Sequence, residues 1–188
     1  MKEFDFQKNL EKLERAFEKP DIFELKWLSN SIIREAGFEN NKAAAKIAII
    51  AYCLYKLLTK EHIIKNRNWK NVKKSISKNI DSALRAARQK DYLELEKKLD
   101  LALKGVDEID KDLGFFLTSL FDKAKIKLAS TAYVTGLSLG QAAELTGADK
   151  KQLLQYLGNT TINEEKIPKI GIAERIEKIK NSFLKRSP

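Results

Sequence analysis

Ala43 to Leu58, reading AAAKIAIIAYCLYKLL, constrains this chain more than any other stretch. Its apolar residues recur around the whole circumference of a helix, so no side of that helix is suited to water and neighbours must surround it. A membrane would be the other solution. Lys46 and Lys56 leave only nine residues between them, however, and a bilayer core needs roughly twenty. The expectation is therefore a helix at the centre of a bundle.

The flanking sequence supplies the partners. Phe6, Leu10, Leu13 and Phe17 recur at helical spacing before Pro20, and Asp21 with Glu24 forms a capping pair for a second helix reaching Gly37. Asn41 opens the apolar helix. Asp91 with Glu94, Ser138 with Gln141, Asp149 with Gln152 and Thr161 with Glu164 repeat the capping pattern. Only three prolines and eight glycines interrupt 188 residues, which disfavours many short strands. The fold class expected is all-α, with a helical bundle over residues 1–120 and a second region over 121–188. Phe4, Trp27 and Phe38 are expected in the core.

The charge is uneven. The formal net charge is +10, and residues 65–90 alone hold nine Lys or Arg against one Asp. On a helix from Asn68, Trp69, Val72, Ile76, Ile80, Ala83 and Ala87 fall on one side, while Lys70, Lys73, Lys74, Lys78, Arg85 and Arg88 fall on the other. That ridge would extend nearly 30 Å, enough to follow several phosphates along a duplex. Solvated lysines commonly coat a helix, and Asp81 among them fits that plainer account. From Asp91 to Asp122 the sign reverses, nine acids against four lysines, so a hairpin of opposite surface charges is expected. The tail from Lys166 to Arg186 is basic again, with Ile172, Ile176, Ile179 and Phe183 at helical spacing.

SLGQAAELTGADKKQLLQYLG, residues 138–158, reads as two short helices around Gly147, the second burying Leu153 and Tyr156 and stopping at Gly158. Ala143, Gly147, Ala148 and Leu153 stand where a compact corner needs small residues, a left-handed turn and an aliphatic anchor. The run AAELTGADKKQLLQYL resembles the helix-turn-helix of bacterial and archaeal transcription regulators. The preceding AKIKLASTAYVTG is faintly similar to the helix before such a turn in the cyclin-like repeats of archaeal transcription factor B. The resemblance implies that Lys150, Lys151, Gln152 and Gln155 face the major groove, where Gln pairs with adenine and Lys serves guanine or phosphate. It also implies a possible homodimer on paired half-sites. Glu144 and Asp149 beside the lysines depart from the basic surplus usual in such a unit.

Chemistry for catalysis is not apparent. One histidine, His62, and one cysteine, Cys53, have no companions at metal-ligand spacing, and no phosphate-binding glycine loop or nucleophile elbow occurs. Asp107, Glu108, Asp110 and Asp112 are expected to crowd a turn, without the glycine and spacing of a calcium loop. No cofactor or metal is expected. The reading is a cytoplasmic, non-enzymatic regulator that binds nucleic acid, duplex DNA before RNA, with no membrane association. A helical adaptor for a protein partner is the alternative.

Overall fold

The computed structural model describes residues 4–113 and 118–160, with side chains over 4–106 and 120–159. Among them are nine helices and no strand: α1 (Phe6–Glu18), α2 (Ile22–Glu39), α3 (Lys42–Leu58), α4 (Glu61–Ile64), α5 (Trp69–Arg88), α6 (Tyr92–Leu113), α7 (Thr118–Val134), α8 (Leu139–Thr146) and α9 (Lys150–Thr160). The fold is all-α.

The helix starts are set by side chains reaching back to orphan amides. Asp21 accepts from the Glu24 amide at 2.9 Å, Asn41 from Ala44 at 3.0 Å and Asp91 from Glu94 at 2.9 Å. Each such cap contributes about 1 kcal/mol. Helix ends follow the sequence less closely. α2 continues through Gly37 and stops at Asn40, which takes the left-handed conformation at φ 51°; asparagine tolerates that region because its short polar side chain bonds locally. Likewise α9 continues through Gly158, the proposed stop. A glycine permits a turn but does not compel one while packing continues to favour helix.

α3 occupies the centre. It packs against α1, α2, α6, α7 and α8, and Ala44, Ile47, Ile50, Leu54 and Leu57 are inaccessible to solvent. One hydrophobic cluster extends from Phe4 to Leu153. Among the described residues no helix is long and apolar enough to cross a membrane.

Cys53 is fully buried on α3, and burial pushes its thiol up from 9.0 to about 12. Tyr52 is also raised, from 10.0 to about 12, by burial and then by the nearby Tyr156 and Tyr55 phenols. Both groups hold their protons in the folded chain above the pH at which the unfolded chain loses them. Their stabilisation is complete below pH 9 and is lost as the pH climbs towards 12. Between those limits Cys53 is expected to lower stability by about 1.4 kcal/mol per pH unit. Urea midpoints measured under reductant from pH 8 upward check this: Cys53→Ala should flatten the decline.

Two expectations for the core need correction. Phe4 is buried, but Trp27 and Phe38 are 55% and 52% exposed, because α2 turns Leu25, Leu28, Ile32, Ile33 and Ala36 inward and these aromatics lie on the opposite side. Asp107, Glu108, Asp110 and Asp112 belong to the helical backbone of α6 rather than to a turn, and their side chains lie outside the described residues, as do the Thr161–Glu164 pair and the basic tail.

Candidate nucleic-acid interface

α8 and α9 meet through a short corner. Ser138 accepts from the Gln141 amide at 3.2 Å while Gln141 Oε1 accepts from the Ser138 amide at 3.0 Å, a reciprocal cap that sets where α8 begins. Gly147 closes it at φ 68°, a left-handed conformation that side chains with a Cβ adopt only at a cost. Asp149 then accepts from the Gln152 amide at 2.8 Å and starts α9. Ala142, Ala143, Leu145 and Leu153 bury the inner sides, and both helices rest on α7.

Burial of Leu153 fixes which side of α9 faces outward. Lys150, Lys151, Gln152 and Gln155 are all exposed, as the spacing required. Leu154 joins them at 60% exposure. At 100° per residue it falls between Lys150 and Lys151 and away from Leu153 and Tyr156. An apolar tip among polar ones suits a thymine methyl group.

The two neighbouring acids are already engaged. Lys42 Nζ lies 2.9 Å from Glu144 Oε1, and that hydrogen bond and charge hold the Glu144 carboxyl below the usual carboxylate range. Asp149 accepts the capping bond at the head of α9. These oxygens therefore oppose the lysines less than the composition implied. α9 also places its N-terminus, with the positive end of its dipole, beside Lys150 and Lys151.

On α5 the basic ridge is partly neutralised. Lys70, Lys74 and Lys78 are exposed. Lys73 is half-buried, with Nζ 3.3 Å from the Glu18 carbonyl oxygen and 5.6 Å from the Phe17 ring centroid. Arg85 pairs with Asp81 at 2.6 Å and Arg88 with Glu11 at 3.0 Å. The ridge thus meets one acid that the α5 pattern alone did not reveal, because Glu11 comes from α1. α5 packs on α1 and α6, whereas α9 packs on α7 and α8. α5 and α6 pack against each other as the expected hairpin; among the described side chains, Asp100 of α6 pairs with Lys46 of α3 at 2.7 Å, and Glu94 pairs within α6 with Lys98 at 3.0 Å.

The lysines of α7 divide in the same way. Lys125 lies 3.4 Å from Asp122 and over the Phe121 ring, and Lys127 lies over Tyr156 of α9, while Lys123 is exposed. Among the described residues, no group of His, Cys, Asp or Glu is arranged to hold a metal ion.

Comparison with known protein families, with curated proteins and with solved structures returns no match.

Proposed function

We propose that this protein is a cytoplasmic, non-enzymatic transcription regulator that binds duplex DNA through a helix-turn-helix formed by α8 and α9. The observation that carries this reading is the outer side of α9, where Lys150, Lys151, Gln152, Leu154 and Gln155 stand exposed together while Glu144 and Asp149 are held by other groups. In this reading α9 enters the major groove, Gln152 and Gln155 read adenine edges, and Lys150 and Lys151 serve guanine or phosphate. Lys70, Lys74 and Lys78 add phosphate contacts on a bent or adjacent length of duplex, whereas Lys73, Arg85 and Arg88 contribute less because they are engaged within the protein. A homodimer would supply a second reading helix for a paired half-site.

Fluorescence anisotropy with a labelled duplex across a salt series tests it. Four to six phosphate contacts give an expected slope of about −4 to −5 in log K against log salt. Absence of duplex binding at low salt, with single strands and RNA equally inert, would remove this reading and leave the adaptor for a protein partner, which the internal pairing of Arg85 and Arg88 favours.

A further inference from the structure

Tyr52, Tyr55 and Lys56 fall within one turn of α3, share a side of it and are half-buried. The two rings meet edge to face, with centroids 5.9 Å apart. Lys56 Nζ stands over both, 5.7 Å from the Tyr52 centroid and 4.9 Å from that of Tyr55, so the three groups form a compact triangle. A ring face attracts an ammonium but gives its N–H donors no oxygen to bond. Among the described residues no acid pairs with Lys56 and no acceptor meets either phenol.

The surrounding helices leave that charge uncancelled. α3 contains no Asp or Glu. Glu61 of α4 is met by Lys65 at 2.7 Å and Asp122 of α7 by Lys125 at 3.4 Å, while Asp149 accepts the cap of α9. Burial, and then the Tyr156 and Tyr55 phenols, push the Tyr52 hydroxyl up to about 12, so it keeps its proton and remains a donor. The influence of Tyr156 also sets Tyr52 close to α9. On that helix Tyr156 shares an edge with Gln152, one turn earlier, and Lys127 of α7 lies over the Tyr156 ring.

We infer that Tyr52, Tyr55 and Lys56 clamp one backbone phosphate of the duplex that α9 reads. The clamp rests on the DNA-binding reading above and adds to it a contact from outside the helix-turn-helix. One ammonium with two neutral hydroxyls matches the single negative charge of a phosphodiester, whereas a phosphate monoester carries nearly two. Hydrogen bonds from these donors to phosphate oxygens are charge-assisted and therefore among the stronger kind. A phosphate contact carries no sequence information, but it fixes the register of a reading helix on the duplex. Beside the Gln152 edge of α9, it holds Gln152 and Gln155 against their bases.

Fluorescence anisotropy tests the inference, using a duplex selected from a random pool in which one backbone phosphate at a time is replaced by an uncharged methylphosphonate. The unaltered chain is expected to lose about fivefold or more in affinity at one position. In Lys56→Gln the loss at that position should disappear, and the salt dependence should be shallower by about one unit. Tyr52→Phe combined with Tyr55→Phe keeps both rings and should weaken binding about threefold or more with the salt dependence unchanged, because a neutral donor releases no counterion. Circular-dichroism melting verifies that each variant keeps the fold. If Lys56→Gln binds as tightly as the unaltered chain, or no methylphosphonate position loses its effect in that variant, the clamp is overturned while the reading of α9 stands. A chain that binds no duplex overturns both. Inorganic phosphate that shifts the tyrosine ring resonances of the unaltered chain but not of Lys56→Gln, without competition from duplex, makes this a site for free phosphate and overturns the clamp.

Discussion

Replacing Lys150, Lys151 and Gln152 together by alanine is expected to lower affinity for a preferred duplex by roughly 100-fold or more, while binding to a scrambled duplex falls far less. Each good base contact discriminates by about 1–3 kcal/mol, and these side chains are exposed at the head of α9 with no role in burying Leu153. The measurement is competition anisotropy against a duplex selected from a random pool. A triple change at Lys70, Lys74 and Lys78 provides the contrast: it should weaken both duplexes alike and make the salt dependence shallower by about one unit per lysine lost. Equal losses on the two duplexes for the α9 variant would mean that α9 contributes charge without reading bases.

Leu54→Ala is expected to destabilise the fold by about 2–5 kcal/mol, read as a fall in urea midpoint without a change in slope. Leu54 is 0% exposed on the central helix, where α1, α2, α6, α7 and α8 surround α3 and leave little freedom to collapse into a cavity. The matched control is Leu154→Ala, at a leucine 60% exposed, for which a change within about 0.5 kcal/mol is expected. The same residue type should therefore separate stability from recognition: Leu54 matters to folding and Leu154 to the surface that α9 presents.

Much of this architecture was legible before any coordinates. Helix starts are local, because a cap is a side chain bonding an amide three residues on, and Asp21, Asn41, Asp91, Ser138 and Asp149 all make that bond. Burial on α5 was legible for a similar reason, since Ile76, Ile80 and Ala83 lie one or two turns apart and share a side. Helix ends were less so. At Gly37 and Gly158 the helix continues, because stopping depends on whether the next turn has something to pack against. Trp27 and Phe38 misled for a related reason: hydrophobicity suggests the core, but only the neighbours of α2 determine which side is covered.

The candidate interface divides along the same line. Exposure of Lys150, Lys151, Gln152 and Gln155 followed from spacing, as did the left-handed Gly147 that turns the chain between α8 and α9. The fate of the neighbouring charges did not follow from it. Glu144 is met by Lys42 across 102 positions of sequence, and Arg88 by Glu11 across 77; no local pattern reports such a pair, because each partner reads as an ordinary surface charge on its own helix.

The amino-acid order by itself determined that the chain is helical, where α2, α3, α6, α8 and α9 start, and that the apolar α3 must be enclosed, since these depend on backbone capping and on the removal of apolar side chains from water within one helix. Tertiary structure alone decided which aromatics remained outside, which acids were met by remote lysines or arginines, and that Lys73 and Arg88 of α5 were drawn into contacts with α1. Those outcomes are set by distances between helices remote in sequence, and they separate a surface able to meet a partner from one already satisfied by the protein itself.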